Sequence, residues 1–299
     1  MRVNPNPLPD LLSALDQTEQ QINVDLQEIA SGQSVNVPSD NPSAAAQLEQ
    51  NASQTAQADQ FLRSIGSVSG EMQNADSTLN SVVTALQRAI TLGVEGASGT
   101  LNSSDRAAIA TEVQGIQSQL VSLANLSYQG NYVFAGTANQ TAPYVLDSTS
   151  PSGVDYVGNS GTNTVTLGTT FTLQTNLPGS QLFSAPGSDM FQAVQDLITS
   201  LQSGTNITGA VAEINTSYNY INQHRVFYGN AVDQLNSQTT FLNSETTQLA
   251  QQQNTLGGAD LTAVISNLEN AQTSRQATLE AVGSNARTDL FDFLGTTPA

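Results

Sequence analysis

Apolar positions in this sequence return mostly at helical spacing. Leu8, Leu12, Leu15, Ile22, Leu26 and Ile29 follow a four-three rhythm in which only Glu19 takes an expected apolar place, which predicts a coiled-coil helix over 8–29. So narrow a stripe is buried only against another helix, and the expected partner lies at the opposite end of the chain. Gly32 closes this helix, and Pro38-Ser39-Asp40-Asn41-Pro42 opens the next, with Ser39 or Asp40 as the expected cap and Pro42 in the first turn. Ala45, Leu48, Ala52, Thr55, Leu62, Ile65, Met72, Leu79, Val82, Leu86 and Ile90 predict a long second helix, weakened and open to a bend at Gly66 and Gly70. After Gly93 to Gly99, Asn102-Ser103-Ser104-Asp105 predicts the cap of a third helix carrying Ile109, Val113, Ile116, Leu120 and Leu123. The second and third helices then form an αα-hairpin.

The period changes at Ser127-Tyr128-Gln129-Gly130-Asn131-Tyr132-Val133-Phe134-Ala135-Gly136. From there to about Phe183, short alternating runs predict strands at 155–157, 164–167 and 170–173, with turns at Gly158-Asn159 and Asn176 to Gly179. Helical spacing resumes at Asp189, a cap for Met190 to Leu201, and breaks at Gly204. It is most regular from Val211 to Leu249, a helix of roughly 60 Å. Beyond Gly257-Gly258, the last helix, 260–293, carries Leu261, Val264, Leu268, Ala271, Leu279, Val282, Ala286, Leu290 and Phe293. Two helical arms around one insertion close by folding back on each other. The expected fold class is mainly α: an elongated antiparallel helical bundle or coiled coil formed by the N- and C-terminal arms, with a small β-rich insertion domain. Five segments follow: an N-terminal assembly helix and turn (1–44), the rod's N-terminal arm (45–130), the insertion (131–185), the rod's C-terminal arm (186–256) and a C-terminal assembly helix (257–299).

Charge and chemistry narrow the function. Against 25 Asp and Glu stand seven basic residues, all Arg, for a net charge of −18, so no basic patch exists to hold nucleic acid. Cysteine is absent, His224 is the only histidine and there is no lysine; thiolate and multi-His metal sites, a P-loop lysine and a Schiff base are all ruled out. No catalytic, cofactor or metal site is expected. His224 sits inside the long helix beside Arg225, and Asp289 and Asp292 read as a solvated face opposite Leu290 and Phe293. Arg225 falls on the apolar seam, where it either covers apolar surface with its stem or makes an interhelical ion pair. Met1 to Pro7 lack the apolar core of a secretory signal, and no run of eighteen apolar residues suggests a membrane span, so export would proceed without a cleaved signal.

Four separated stretches carry a family resemblance. The run Ala30 to Ala44, containing Val37-Pro38-Ser39-Asp40-Asn41-Pro42, resembles the signature that follows the first helix in the flagellin superfamily, in the form typical of its hook-associated protein 3 branch. Gly130-Asn131-Tyr132-Val133-Phe134-Ala135-Gly136 resembles that branch's entry into its β domain, and Asn176 to Phe183 resembles the exit. Arg225 with Gly229-Asn230, and Asp289-Leu290-Phe291-Asp292-Phe293-Leu294, are similar to its C-terminal half. Gln33, where a basic residue is common, and Asn41, where Asp is frequent, depart from the pattern. The resemblance implies a non-enzymatic structural adaptor of the flagellum, exported unfolded by the type III apparatus and acting outside the cell. Its implied partners are further copies in a ring, the preceding hook-associated protein 1, flagellin and an export chaperone, with neither nucleic acid nor membrane. The terminal segments would then form the assembly interface: Leu8, Leu12, Leu15, Glu19, Ile22, Leu26 and Ile29 with Leu261, Val264, Leu268, Leu279, Val282, Leu290, Phe291, Phe293 and Leu294. Two other readings stand beside this one, a filament flagellin and a secreted binding module or adhesin using the β insertion.

Overall fold

The computed structural model of the chain describes the backbone over residues 8–168 and 170–295, and side chains over 9–168 and 170–284. Among the described residues there are seven helices: α1 (Leu8–Ser31), α2 (Pro42–Gly96), α3 (Ser103–Ala124), α4 (Gly179–Leu182), α5 (Met190–Ser203), α6 (Ile207–Gly257) and α7 (Leu261–Gly295). Six short strands lie between α3 and α4: β1 (Ser127–Tyr128), β2 (Asn131–Tyr132), β3 (Tyr144–Leu146), β4 (Val154–Tyr156), β5 (Thr164–Thr166) and β6 (Thr172–Gln174). The mainly-α reading with a small β insertion holds. The chain divides into two units whose boundaries fall inside α2 and α6: Ala58–Ser244, and the residues up to Gln57 together with those from Glu245.

Helix ends follow local chemistry. Asn102 and Asp105 form a reciprocal capping box at α3, the Asn102 side chain accepting from the Ser104 and Asp105 amides at 2.8 and 3.0 Å. Asp189 caps α5 through the Gln192 amide (2.9 Å), and Gly204 ends it in the left-handed region. One expected cap is corrected. With Pro42 at the first helical position, the capping residue is the one just before it, and Asn41 Oδ1 accepts from the Ala44 amide at 3.0 Å. Asp40 instead holds the preceding turn, its Oδ2 accepting from the Asn36 and Val37 amides, both at 2.9 Å.

In the Ala58–Ser244 unit, Met72, Leu79, Val82 and Leu86 of α2 are fully buried with Leu120 of α3, Leu197 of α5 and Tyr228 of α6. Arg88 of α2 pairs with Glu112 of α3, and Gln87 donates to the Tyr218 hydroxyl of α6 at 2.9 Å. The helices continue through Gly66 and Gly70 without a break. At Gly70 the missing Cβ leaves room for Tyr128, whose hydroxyl would lie 2.5 Å from it.

The β insertion departs from its sequence reading. It consists of three two-stranded antiparallel sheets, with Tyr128 opposite Asn131, Val145 opposite Asp155, and Val165 opposite Leu173. The run at 155–157 forms β4 one residue earlier, against a β3 that periodicity did not predict, and the β1–β2 hairpin was likewise unpredicted. The strand expected at 170–173 lies at 172–174, because Leu167 N donates to Phe171 O across a turn containing Gly168. Gly158-Asn159 lies in the connection between β4 and β5, which belong to different sheets. Asparagine amides take over from ladder bonds. Asn125 donates to Tyr144 O (2.7 Å) and accepts from Tyr144 N (2.9 Å), while buried Asn176 accepts from Asn163 N and donates to Gly136 O and Gly161 O. Beneath them Tyr144 packs on Tyr156, Phe183 and Phe191 with ring centroids 5.0, 6.0 and 4.9 Å away. Burial drives the Tyr144 phenol far above its ordinary pKa, so it stays protonated.

Candidate assembly surface

In the other unit, the end of α1 and the start of α7 are tied by backbone. Ser34 N donates to Gly257 O (2.7 Å), Ala259 N donates to Gly32 O (3.0 Å), and Gln33 bridges Gly258. Gly32 makes this join in the left-handed region (φ 69°), and Asp260 Oδ1 caps α7 through the Thr262 and Ala263 amides. The two helices leave this join as an antiparallel, packed pair.

The buried face of α1 is not the stripe read from the sequence. Leu11, Leu15, Thr18, Ile22, Asp25 and Ile29 are buried or half-buried, in an unbroken four-three series. Leu12 and Leu26 lie off that face at 47% and 48% exposure, and Glu19 is exposed with them. Two polar residues, Thr18 and Asp25, occupy the true seam, so hydrophobicity alone selects the neighbouring phase. On α7, Val264 is 6% exposed, Leu268, Ala271, Thr278 and Val282 are half-buried, and Leu261, Ile265 and Leu279 are 45%, 47% and 47% exposed. Of the residues expected at the interface, Leu15, Ile22, Ile29, Val264, Leu268 and Val282 therefore face inward, and Leu12, Glu19, Leu26, Leu261 and Leu279 face outward. The sequence reading missed Leu11, Thr18, Asp25 and Ile265. The side chains of Leu8, Leu290, Phe291, Phe293 and Leu294, like those of Asp289 and Asp292, lie outside the described residues.

The outward residues form one surface. At about 100° per residue, Leu12, Glu19 and Leu26 sit about 80° round from the buried face of α1, and Leu261, Ile265 and Leu279 sit roughly 60–100° round in the same sense on α7. The two-fold axis relating antiparallel helices runs normal to the plane of the pair, so flanks of the same rotational sense share one side. Leu12, Leu26, Leu261, Ile265 and Leu279 consequently make an apolar stripe bordered by Glu19. A half-exposed leucine or isoleucine leaves about 1 kcal/mol of burial ungained. Isolated exposed leucines are ordinary, whereas an aligned set makes a candidate docking surface.

Seam electrostatics are unusual at Asp25. The residue is 2% exposed; its Oδ1 accepts from Gln21 Nε2 at 2.9 Å, and its Oδ2 has no hydrogen-bond partner. Elsewhere, Arg225 of α6 makes the interhelical ion pair rather than only covering apolar surface: Nε and Nη2 reach the Asp76 carboxylate at 3.0 and 3.3 Å, and Nη1 reaches Asn80 Oδ1 at 3.1 Å. His224 is half-buried with its ring 4.3 Å from that of Tyr220. Among the described residues no group of three His, Cys, Asp or Glu is placed to hold a metal ion, and no helix is long and apolar enough to cross a membrane.

Comparison with known proteins finds chains similar to this one. Residues 9–139 match the family described as the bacterial flagellin N-terminal helical region. Flagellar hook-associated protein 3 of Escherichia coli is 36% identical over 119 residues, 40% of this chain and 38% of the relative, so the chain spans well under half of that protein's length in the match. The flagellar junction protein FlgL of Legionella pneumophila superposes with a TM-score of 0.61 at 15% identity, covering 71% of this chain and 100% of that one. FlgL of Bacillus cereus gives 0.58 at 20% identity, covering 70% and 99%. Residues 9–139 thus resemble the flagellin N-terminal helical region, in a chain whose fold is similar to that of the solved flagellar junction proteins.

Proposed function

We propose that this protein is a structural, non-catalytic adaptor of the bacterial flagellum that joins the hook, through the preceding hook-associated protein 1, to the flagellin filament. Copies of the chain form a ring, and they reach the cell exterior through the flagellar type III apparatus with the help of an export chaperone. The observation that carries this reading is the apolar stripe of Leu12, Leu26, Leu261, Ile265 and Leu279 on paired helices. It supports the expected assembly role of both terminal segments, here given a definite side, and it suits packing against like helices of neighbouring subunits. Similarity to hook-associated protein 3 supports the position in the organelle. The five-segment division, with 1–44 and 257–299 as assembly segments around a rod and insertion, is retained within this proposal.

Gold-labelled antibody against the protein on isolated flagella tests the reading. Label confined to the hook end of the filament is expected. Label along the whole filament would identify a flagellin instead, and absence of label from flagella would sink the proposal.

A further inference from the structure

A second feature, in the Ala58–Ser244 unit, lies apart from the α1–α7 stripe. Where α2 passes the β1–β2 hairpin lies a polar cleft of about 200 Å³, lined among others by Glu71, Tyr128, Asn131, Tyr132, Asn139 and Asn163. Glu71 is half-buried, and among the described residues neither a hydrogen-bond donor nor a basic group reaches its carboxylate. Desolvation consequently raises its pKa above the ordinary glutamate range. A partly desolvated carboxylate is normally compensated by a donor or counter-charge, and here it faces an open polar cleft instead. The hairpin beside it is also unusual. Gln129 holds φ 50° without being glycine, and Gly70 lets Tyr128 close against α2.

We propose that this cleft binds an organic cation of the guanidinium or alkylammonium type, with Glu71 as its counter-charge. One carboxylate matches a single positive charge, whereas a calcium site draws on several carboxylates and rigid oxygen ligands. Tyr128 and Tyr132, which also line the cleft, are aromatic residues of the kind that attract organic cations. Asn163 adds an amide oxygen able to accept from an N–H donor, while the Asn131 and Asn139 oxygens already accept from Gln140 Nε2 at 2.7 and 3.3 Å and keep only their second lone pairs for a ligand. The volume admits a side-chain head group or a small free amine and excludes a folded peptide. If the cation comes from another copy of this chain it is an arginine, since the sequence contains no lysine.

Titration of the full-length protein with methylguanidinium and with methylammonium, followed by amide chemical shifts, tests the proposal. Saturable shifts centred on residues 67–75 and 128–139 are expected, and Glu71→Gln, nearly equal in volume, weakens them about tenfold or more, the equivalent of one charge-assisted hydrogen bond. Glu71→Asp keeps the charge and retains measurable binding. Dissociation of self-associated protein by methylguanidinium identifies an arginine of a second copy as the occupant; binding to monomer without any effect on association identifies a free cation. Absence of saturable shifts, equal binding by Glu71→Gln, or preference for calcium over both organic cations would overturn it.

Discussion

Asp25 offers a direct test of the seam assigned to α1. It occupies a position that a heptad reserves for an apolar residue, it is 2% exposed, and one carboxylate oxygen has no donor. Leaving a buried acceptor unpaired costs about 1–3 kcal/mol, and burying a leucine there instead contributes about 2 kcal/mol. Against this stands the bond from Gln21, worth about 1 kcal/mol and readily replaced by water because Gln21 is exposed. Asp25→Leu should therefore stabilise the helix pair by at least about 2 kcal/mol, the low end of these terms, in line with replacement of buried polar and ionic groups by apolar ones. Asp25→Asn should fall between the two, since it removes the charge but keeps a polar group. With two units in the chain, a single unfolding midpoint would blur the effect, so the assay is amide hydrogen exchange across 11–29. There 2 kcal/mol appears as about 30-fold slower exchange. If Asp25→Leu speeds exchange instead, the carboxylate has a favourable partner and the seam is misassigned.

Four further outcomes follow from the same geometry. Leu26→Gln combined with Leu279→Gln should change exchange within the monomer by less than about 0.5 kcal/mol, since both side chains are exposed, yet abolish ring assembly and motility in a complementation assay. Arg225→Ala loses a partly exposed ion pair and should cost about 1 kcal/mol in urea unfolding, with much of the effect removed by salt. Gly93→Ala pushes a methyl into Val211 and Leu197, and overpacking of this kind should cost about 1–3 kcal/mol by the same measurement. Burial raises the pKa of Asp189, and burial together with Asp196 raises that of Glu213. A raised folded-state carboxyl contributes stability that is complete below the unfolded pKa and lost as pH rises through the folded one. The α5–α6 contact should therefore exchange more slowly as pH is lowered from 7 toward the upper carboxylate range, after correction for intrinsic rates. Faster corrected exchange would refute the sign.

The helices were legible because their ends are written in single residues: Gly32, Asn102, Asp189, Gly204 and Asp260 each act through a local bond or a left-handed backbone. The phase of α1 was not, since Thr18 and Asp25 interrupt the buried series while Leu12 and Leu26 complete an outward one. An apolar count cannot tell a stripe awaiting an external partner from one facing the chain's own helix. The strands were partly hidden for another reason. Each is two or three residues long, and Asn125, Asn159 and Asn176 hold the loops by reaching backbone 19, 22 and 40 residues away in sequence, contacts without periodicity. Glu71 gave no signal either, because its isolation depends on what the β1–β2 hairpin brings over α2.

The stripe shared by α1 and α7 has a consequence for timing. Each helix contributes only part of it, and the two lie at opposite ends of the sequence, so the complete surface exists only after the most non-local closure in the fold. On the proposed assembly role, a chain still emerging, or one lacking either helix, presents half a footprint and should bind a neighbour correspondingly weakly. Adhesiveness would then be withheld until both helices are present and joined at Gly32 and Gly258, and the order of folding would guard against premature aggregation.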